Sequence, residues 1–294
     1  MILPQEPAAA AADTAVSVAD AIWLGIVEGL TEFLPVSSTG HLIVTNRLLG
    51  LAETPLTVGI QLGAISAILV LYWRRLWDAA RRMVTPAKAG TRQPNLLLQI
   101  VIAALPAAVL GLLFDDLIEG YLFSAEFVAA TMTIGGLLLL WLEQHLARRA
   151  RRNGGGADAP GGGADLAAMS YRTALWVGMF QCLALLPGTS RSGATIAGAL
   201  LLGLSRTAAA EFSFLVGLPI LYGACGVKLL TDWDAFAGPL LLPMLVGTVV
   251  SFLSALVVVR PFVAFLRRHT FAPFAIYRLV AGLLLAAGCA ANWL

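Results

Sequence analysis

The sequence predicts an all-α polytopic membrane protein, and three observations carry that reading. Of 294 residues, 59% are apolar and only 12% are charged, against roughly 25% charged in ordinary soluble domains. Apolar runs of helical length recur along the whole chain, and the basic residues cluster between them. A net charge of +2 leaves no footprint for nucleic acid. Cys182, Cys225 and Cys289 lie far apart in or beside apolar segments, where a small buried hydrophobe is expected rather than a disulfide or metal ligand.

The chain starts with a tail, 1–20, that carries Glu6, Asp13 and Asp20 but no Lys or Arg, so the basic start of a signal peptide is missing and the first apolar helix must direct insertion. About ten helices follow, over 21–34, 36–50, 56–73, 96–115, 124–146, 172–186, 191–204, 208–230, 239–265 and 272–292. Spanning the hydrocarbon takes about 20 residues, and runs of about 10 to 14 suit re-entrant or interfacial segments. The first, second, sixth and seventh helices are short, and each pair is broken by proline and small residues, "FLPVSSTG" in one and "LLPGTSRSG" in the other. They read as two re-entrant helical hairpins beside six full spans.

Loop charge agrees with this count, because cytoplasmic loops are enriched in Lys and Arg. The segments 74–92 (Arg74, Arg75, Arg81, Arg82, Lys88, Arg92), 148–172 (Arg148, Arg149, Arg151, Arg152, Arg172) and 260–268 (Arg260, Arg267, Arg268) fall inside. The connections with Asp115, Asp116, Glu119 and Glu126, and with Lys228, Asp232 and Asp234, fall outside. The alternation is consistent if the first hairpin enters from the outer face and the second from the inner, with both termini outside; parity alone also allows the short helices to cross in full, so the re-entrant reading rests on their length.

"WLGIVEGLTEFLPVSS" from Trp23 and "WVGMFQCLALLPGTSRS" from Trp176 share Trp, a Gly two residues on, Glu28 or Gln181 at the sixth position, then Pro and serines, at an offset of 153. An odd number of crossings per half inverts the second copy. The expected organisation is the tail 1–20, a first inverted repeat 21–152, a Gly-rich cytoplasmic linker 153–169 containing "NGGGADAPGGGAD", and a second repeat 170–294, each repeat a hairpin plus three spans. Inverted-topology repeats place the working site near the midplane at their interface, where discontinuous helix ends face a substrate.

The residues at those breaks carry the chemistry. Glu28 and Glu32 share a helix face, and two ionised carboxylates at membrane depth repel unless a proton or cation intervenes. Pro35 breaks the helix before Ser37, Ser38, Thr39 and Gly40, a composition that turns N–H groups and hydroxyls toward an anion. His41 follows within a turn of Ser38, so a hydroxyl and a base could share a pocket. The bland alternative is an N-cap and an interfacial histidine. In "PGTSRSGAT", Arg191 stands between apolar runs, where its planar fork suits phosphate or carboxylate, with Ser190, Ser192, Gly188 and Gly193 around it. It could instead pair with Glu28 or Glu32 as structural glue. Gln61, Glu211 and Ser213 are polar points near span starts that could line the cavity or bond between helices. His145 and His269 sit beside arginines at span ends, as solvated interface residues do.

"EGLTEFLPVSSTGH" and "PGTSRSGATI", together with "IQLGAI", "EFSFL" and "FAPFAIYR", resemble the bacterial undecaprenyl-diphosphate phosphatase family, also known for bacitracin resistance. The resemblance covers almost the whole chain. It implies a lipid phosphatase of the bacterial cytoplasmic (inner) membrane, open to the outer face, that regenerates the monophosphate carrier for peptidoglycan synthesis and depends on a divalent cation. By motif position it implies Glu28 and Glu32 as the acidic pair, Ser38 and His41 as hydroxyl and base, and Arg191 as the phosphate-binding arginine. Ser37, Thr39, Ser190 and Ser192 are expected beside the phosphate, and Glu28 and Glu32 would hold Mg²⁺ or Ca²⁺. Expected partners are the polyprenyl diphosphate lipid and the membrane, with no nucleic acid; a homodimer is left open. A transporter or flippase of the lipid carrier is the alternative, because broken-helix inverted repeats are also a transporter architecture.

Overall fold

A computed structural model describes residues 16–51, 55–84, 94–152, 162–236 and 238–293. Most of the N-terminal tail with Glu6 and Asp13, Lys88 and Arg92 of the first basic segment, most of the Gly-rich linker, and the side chains of Asp115, Asp116 and Glu119 lie outside the described residues. Ten α-helices form among the described residues: α1 Val18–Thr31, α2 Ser38–Leu49, α3 Leu56–Val84, α4 Leu96–Leu122, α5 Ala125–Arg152, α6 Tyr171–Gln181, α7 Arg191–Leu201, α8 Arg206–Thr231, α9 Leu241–Leu266 and α10 Ala272–Ala290. Among the described residues six stretches, along α3, α4, α5, α8, α9 and α10, are long and apolar enough to cross a bilayer, and α1, α2, α6 and α7 are too short. The protein is a multi-pass membrane protein.

Two boundaries differ from expectation in an informative way. The helix expected to stop near residue 73 runs to Val84, and the one expected to stop near 146 runs to Arg152. The basic clusters therefore sit on helical extensions, not in loops. Helix continues there because Arg and Leu are good helix formers and the arginines find partners on α3 itself and on α8. Arg75 donates to Glu211 at 2.6 Å, Arg81 lies 5.2 Å over the Trp77 ring, and Trp73 stacks on Trp77. Exposed tryptophans beside arginines at span ends are what a membrane interface favours. Outside the helix ends, the surface is covered by exposed Leu, Val and Ile such as Leu112, Leu113, Val257 and Leu284, as a lipid-facing belt requires.

The two halves repeat each other. Ser17 and Ser170 cap α1 and α6 with their side chains. Ser37 and Ser190, again 153 positions apart, are the caps of α2 and α7 at φ 70° and 71°. Gly50 and Gly203, at the same spacing, follow those helices with positive φ. Packing obeys the same exchange: α1 lies along α9 as its equivalent α6 lies along α4, while α3 meets α8 and α5 meets α10 across the middle. The shared glycine of the two Trp-x-Gly starts is explained by that packing. A Cβ on Gly25 would come within 2.6 Å of the Gly247 carbonyl, and one on Gly178 would collide with the Ala103 carbonyl. Only a bare backbone lets each short helix approach so closely.

One large buried cluster joins the halves. Phe33, at the tip of the first hairpin, meets Phe214 of α8 edge-on at 5.3 Å, a pairing worth about 1 kcal/mol beyond its burial. Glu143 of α5 pairs with Arg206 of α8 at 2.6 Å and accepts from the Phe271 N–H at 2.7 Å. These contacts tie α8 to the first hairpin and to α5, and the start of α10 to α5.

Candidate active site

The two hairpin turns meet inside the bundle. After α1, Pro35 stops the helix and the chain turns through Val36 and Ser37 before α2 starts at Ser38. After α6, a 3₁₀ turn Cys182–Leu185 leads through Pro187, Gly188 and Thr189 to Ser190, and α7 starts at Arg191. Ser37 and Ser190 occupy a backbone region that non-glycine residues avoid, at a cost of about 1–3 kcal/mol each. Each strained residue opens its helix at the junction, where a helix start favours negative charge.

Glu32 is the hub of that junction. Its Oε1 accepts from Arg191 Nη2 at 3.1 Å and Nε at 3.3 Å, and its Oε2 accepts from the Ser38 hydroxyl at 2.8 Å. Arg191 Nη1 donates to the Ser213 carbonyl at 2.8 Å. The guanidinium lies over Gly217 of α8, where a Cβ would come within 2.6 Å of Nη1. Ser192 ties the hairpins together, its hydroxyl donating to the Leu34 carbonyl at 2.9 Å. A cavity of about 190 Å³ is lined by Glu32, Ser37, Ser38, Thr39, Gln61, Gln181, Ser190 and Arg191, among others. It shares Ser38, Thr39 and Gln61 with a second cavity of about 500 Å³ that reaches Asn46, Lys228 and Asp232. The polar centre is therefore continuous with the end of the bundle where α3 begins and α8 finishes.

Glu28 is fully buried one turn before Glu32, and neither of its carboxylate oxygens has a hydrogen-bond partner. Among the described residues no group of three His, Cys, Asp or Glu could hold a metal. Two carboxylates on one face are nonetheless oxygen ligands of the kind a divalent cation such as Mg²⁺ would use, with charge neutralisation as what it would supply. The orphaned oxygens of Glu28 are the observation that supports this fit.

Several expected placements change. Ser38 bonds to Glu32, not to His41. The His41 ring turns back along α2, where its Nδ1 lies 2.7 Å from the Ser37 carbonyl. A carbonyl can only accept, so Nδ1 carries the hydrogen and Nε2 of the neutral ring accepts from the Tyr277 hydroxyl at 2.6 Å. Tyr277 also stacks on the imidazole at 5.5 Å. His41 thus braces the strained turn that presents Ser38. Ser192 is fully buried with its hydroxyl engaged and is not among the cavity-lining residues, while Glu211 takes the second of its two expected roles, bonding between helices to Arg75. Ser190 uses its hydroxyl to cap the Gly193 N–H at 3.1 Å. Gln61 does line both cavities, and Ser213 contributes its carbonyl.

Arg278 is the functional-site neighbour with the weakest signal in the sequence. It is fully buried on α10 and donates to the Thr189 carbonyl at 2.8 Å and the Gly188 carbonyl at 3.1 Å. It clamps the second turn from behind. Only its place in "FAPFAIYR" could have pointed to it, together with the rule that an arginine inside a span needs partners.

Gly217→Ala tests how tightly Arg191 must be held. The methyl group would push the guanidinium off Ser213 or Glu32, while alanine is at least as good a helix former as glycine. Catalytic efficiency should drop roughly 10- to 100-fold, the equivalent of about 1.4–2.8 kcal/mol, with little change in thermal unfolding in detergent. Steady-state turnover beside a melting curve reads both.

A profile of the family described as bacitracin resistance protein BacA matches residues 21–284. The chain is similar to the undecaprenyl-diphosphatase of Nitratidesulfovibrio vulgaris strain Hildenborough, 47% identical over 260 residues that cover 87% of this chain and 92% of the relative. It is similar to undecaprenyl-diphosphatase 1 of Acinetobacter baylyi, 38% identical over 283 residues, 92% of this chain and 95% of the relative. It is also similar to the undecaprenyl-diphosphatase of Streptococcus thermophilus, 39% identical over 275 residues and 90% of each chain.

Proposed function

The chain belongs to the bacitracin resistance protein BacA family, and from that premise we propose that it is an integral membrane undecaprenyl-diphosphatase, releasing inorganic phosphate from undecaprenyl diphosphate and returning undecaprenyl phosphate to cell-wall synthesis. The observation that carries the reading is the contact of Arg191 with Glu32 and of Glu32 with Ser38, where two broken helices meet. A guanidinium, a carboxylate and a hydroxyl at facing helix starts form a site for a phosphate group and for moving one proton.

The lipid tail stays in the hydrocarbon while the diphosphate enters through the larger cavity. The arginine clusters at the opposite end of the bundle support a mouth that opens to the outer side of the bacterial inner membrane. Arg191 and the N–H groups that open α2 and α7 balance the charge spread over the terminal phosphate's oxygens. The Ser38 hydroxyl gives its proton to Glu32 as its oxygen attacks phosphorus, the bond to the bridging oxygen breaks, and the lipid monophosphate leaves. Water then cleaves the Ser38–phosphate bond. Glu28 and Glu32 would hold Mg²⁺ or Ca²⁺, which supplies charge neutralisation for the two phosphates when bound. Bacitracin resistance follows, because an enzyme that consumes the diphosphate competes with the antibiotic that sequesters it.

The test is phosphate release by purified protein in detergent, with and without a chelator. Release that stops with the chelator and returns with Mg²⁺ or Ca²⁺ supports the reading. A protein that moved the lipid across sealed vesicles yet released no phosphate would instead be the transporter.

A further inference from the structure

Gln181 is the residue of the second hairpin that no role has yet absorbed. It occupies the position equivalent to Glu28, 153 residues on, at the end of α6 as Glu28 is near the end of α1. It is 1% exposed, and neither its Nε2 nor its Oε1 has a partner. The amide lines the same cavity as Ser38, Glu32 and Arg191. Because both ends are orphaned, the point does not depend on which way the amide is turned.

Buried polar groups rarely go unmatched, and each that does is destabilising. An amide left so, on the wall of a small polar cavity, is complementary to something that enters it. The charges on the page identify what. Arg191 is the only cation lining this cavity among the described residues, and one carboxylate, Glu32, already opposes it. A diphosphate entering here meets an acid on the first hairpin, and a second acid at position 181 would repel it. A glutamine keeps the shape of Glu28 and offers a donor instead. The repeats have thus diverged into an acidic arm, suited to a cation and a proton, and an amide–guanidinium arm, suited to an anion.

We propose that Gln181 is a substrate-binding residue, its Nε2 donating to a non-bridging oxygen of the terminal phosphate beside Arg191, and its Oε1 accepting from a water that enters with it. The proposal rests on the phosphatase reading and adds a contact to it.

Two variants and two measurements separate the outcomes. Gln181→Met removes both polar ends at similar volume, and removing an unmatched buried amide is neutral or stabilising. The expected results are a melting temperature at or above that of the wild type, KM for undecaprenyl diphosphate raised about tenfold or more with kcat little changed, and inorganic phosphate weakened about tenfold as an inhibitor. Gln181→Glu should lose about a hundredfold in kcat/KM through repulsion. The second measurement does not need turnover: inorganic phosphate should raise the melting temperature of the wild type and do so far less for Gln181→Met. A Gln181→Met protein that melts lower while keeping its KM and its phosphate response would overturn the proposal in favour of a packing role. So would a Gln181→Glu protein within threefold of the wild type. Wild-type protein that gains stability from phosphate yet hydrolyses no diphosphate would defeat the phosphatase reading and leave the Gln181 contact standing.

Discussion

Arg191→Lys is expected to lower kcat/KM by about 10²- to 10³-fold although it keeps the positive charge. The arginine spans two groups at once, Glu32 through Nε and Nη2 and the Ser213 carbonyl through Nη1. An ammonium is a compact point charge and cannot reach both from one position. Whichever contact lysine keeps, Glu32 or the incoming phosphate loses its planar partner in a buried site, and breaking one side of such a pair is worth roughly 3–5 kcal/mol when no charge replaces it. The retained charge recovers part of this, which sets the lower range. Phosphate release from the lipid diphosphate is the measurement, and near-normal rates would remove Arg191 from the phosphate. Glu32→Gln combined with Arg191→Lys should cost less than the two losses added, because both act on one contact.

How the chain builds this site was readable to different depths. The six spans and the short hairpin arms follow from run length and proline, because lipid leaves helix as the only way to satisfy the backbone. α3 and α5 run past their apolar stretches because arginine ends an apolar run without ending a helix; Arg75 finds Glu211 across on α8 and Arg81 finds Trp77 one turn back. The meeting of Arg191 with Glu32 followed from the repeat, since equivalent broken-helix hairpins in the two halves bring their breaks together. The proximity of Ser38 and His41 in sequence was misleading. Neighbours within a turn compete with carbonyls one turn back, and Ser37 won the imidazole while the longer reach across the break delivered Glu32 to Ser38. Tyr277 and Arg278 could not be assigned roles, because their contacts to His41 and to the second turn cross more than 80 residues and depend on how α10 packs on α5.

Ser38→Ala should abolish a covalent intermediate and reduce turnover by about 10³-fold or more, as removal of an activated nucleophile does. The expectation rests on direction as well as distance. Ser38 is the first residue of α2, so its hydroxyl stands at the helix start that faces the cavity, with its hydrogen committed to Glu32 at 2.8 Å and its lone pairs open to the cavity. Rapid acid quench with diphosphate labelled in its terminal phosphate should leave label on the wild-type chain and none on Ser38→Ala. Glu32→Gln should also accumulate none, because the amide cannot take the proton that attack releases. Direct attack by water predicts a different pair of results: no label on either protein, and Ser38→Ala retaining turnover within about tenfold, since alanine would remove one hydrogen bond rather than the attacking atom. That second pattern would leave Glu32 as the base for water and reduce Ser38 to a binding group, so one quench experiment on these three proteins decides which oxygen forms the bond to phosphorus.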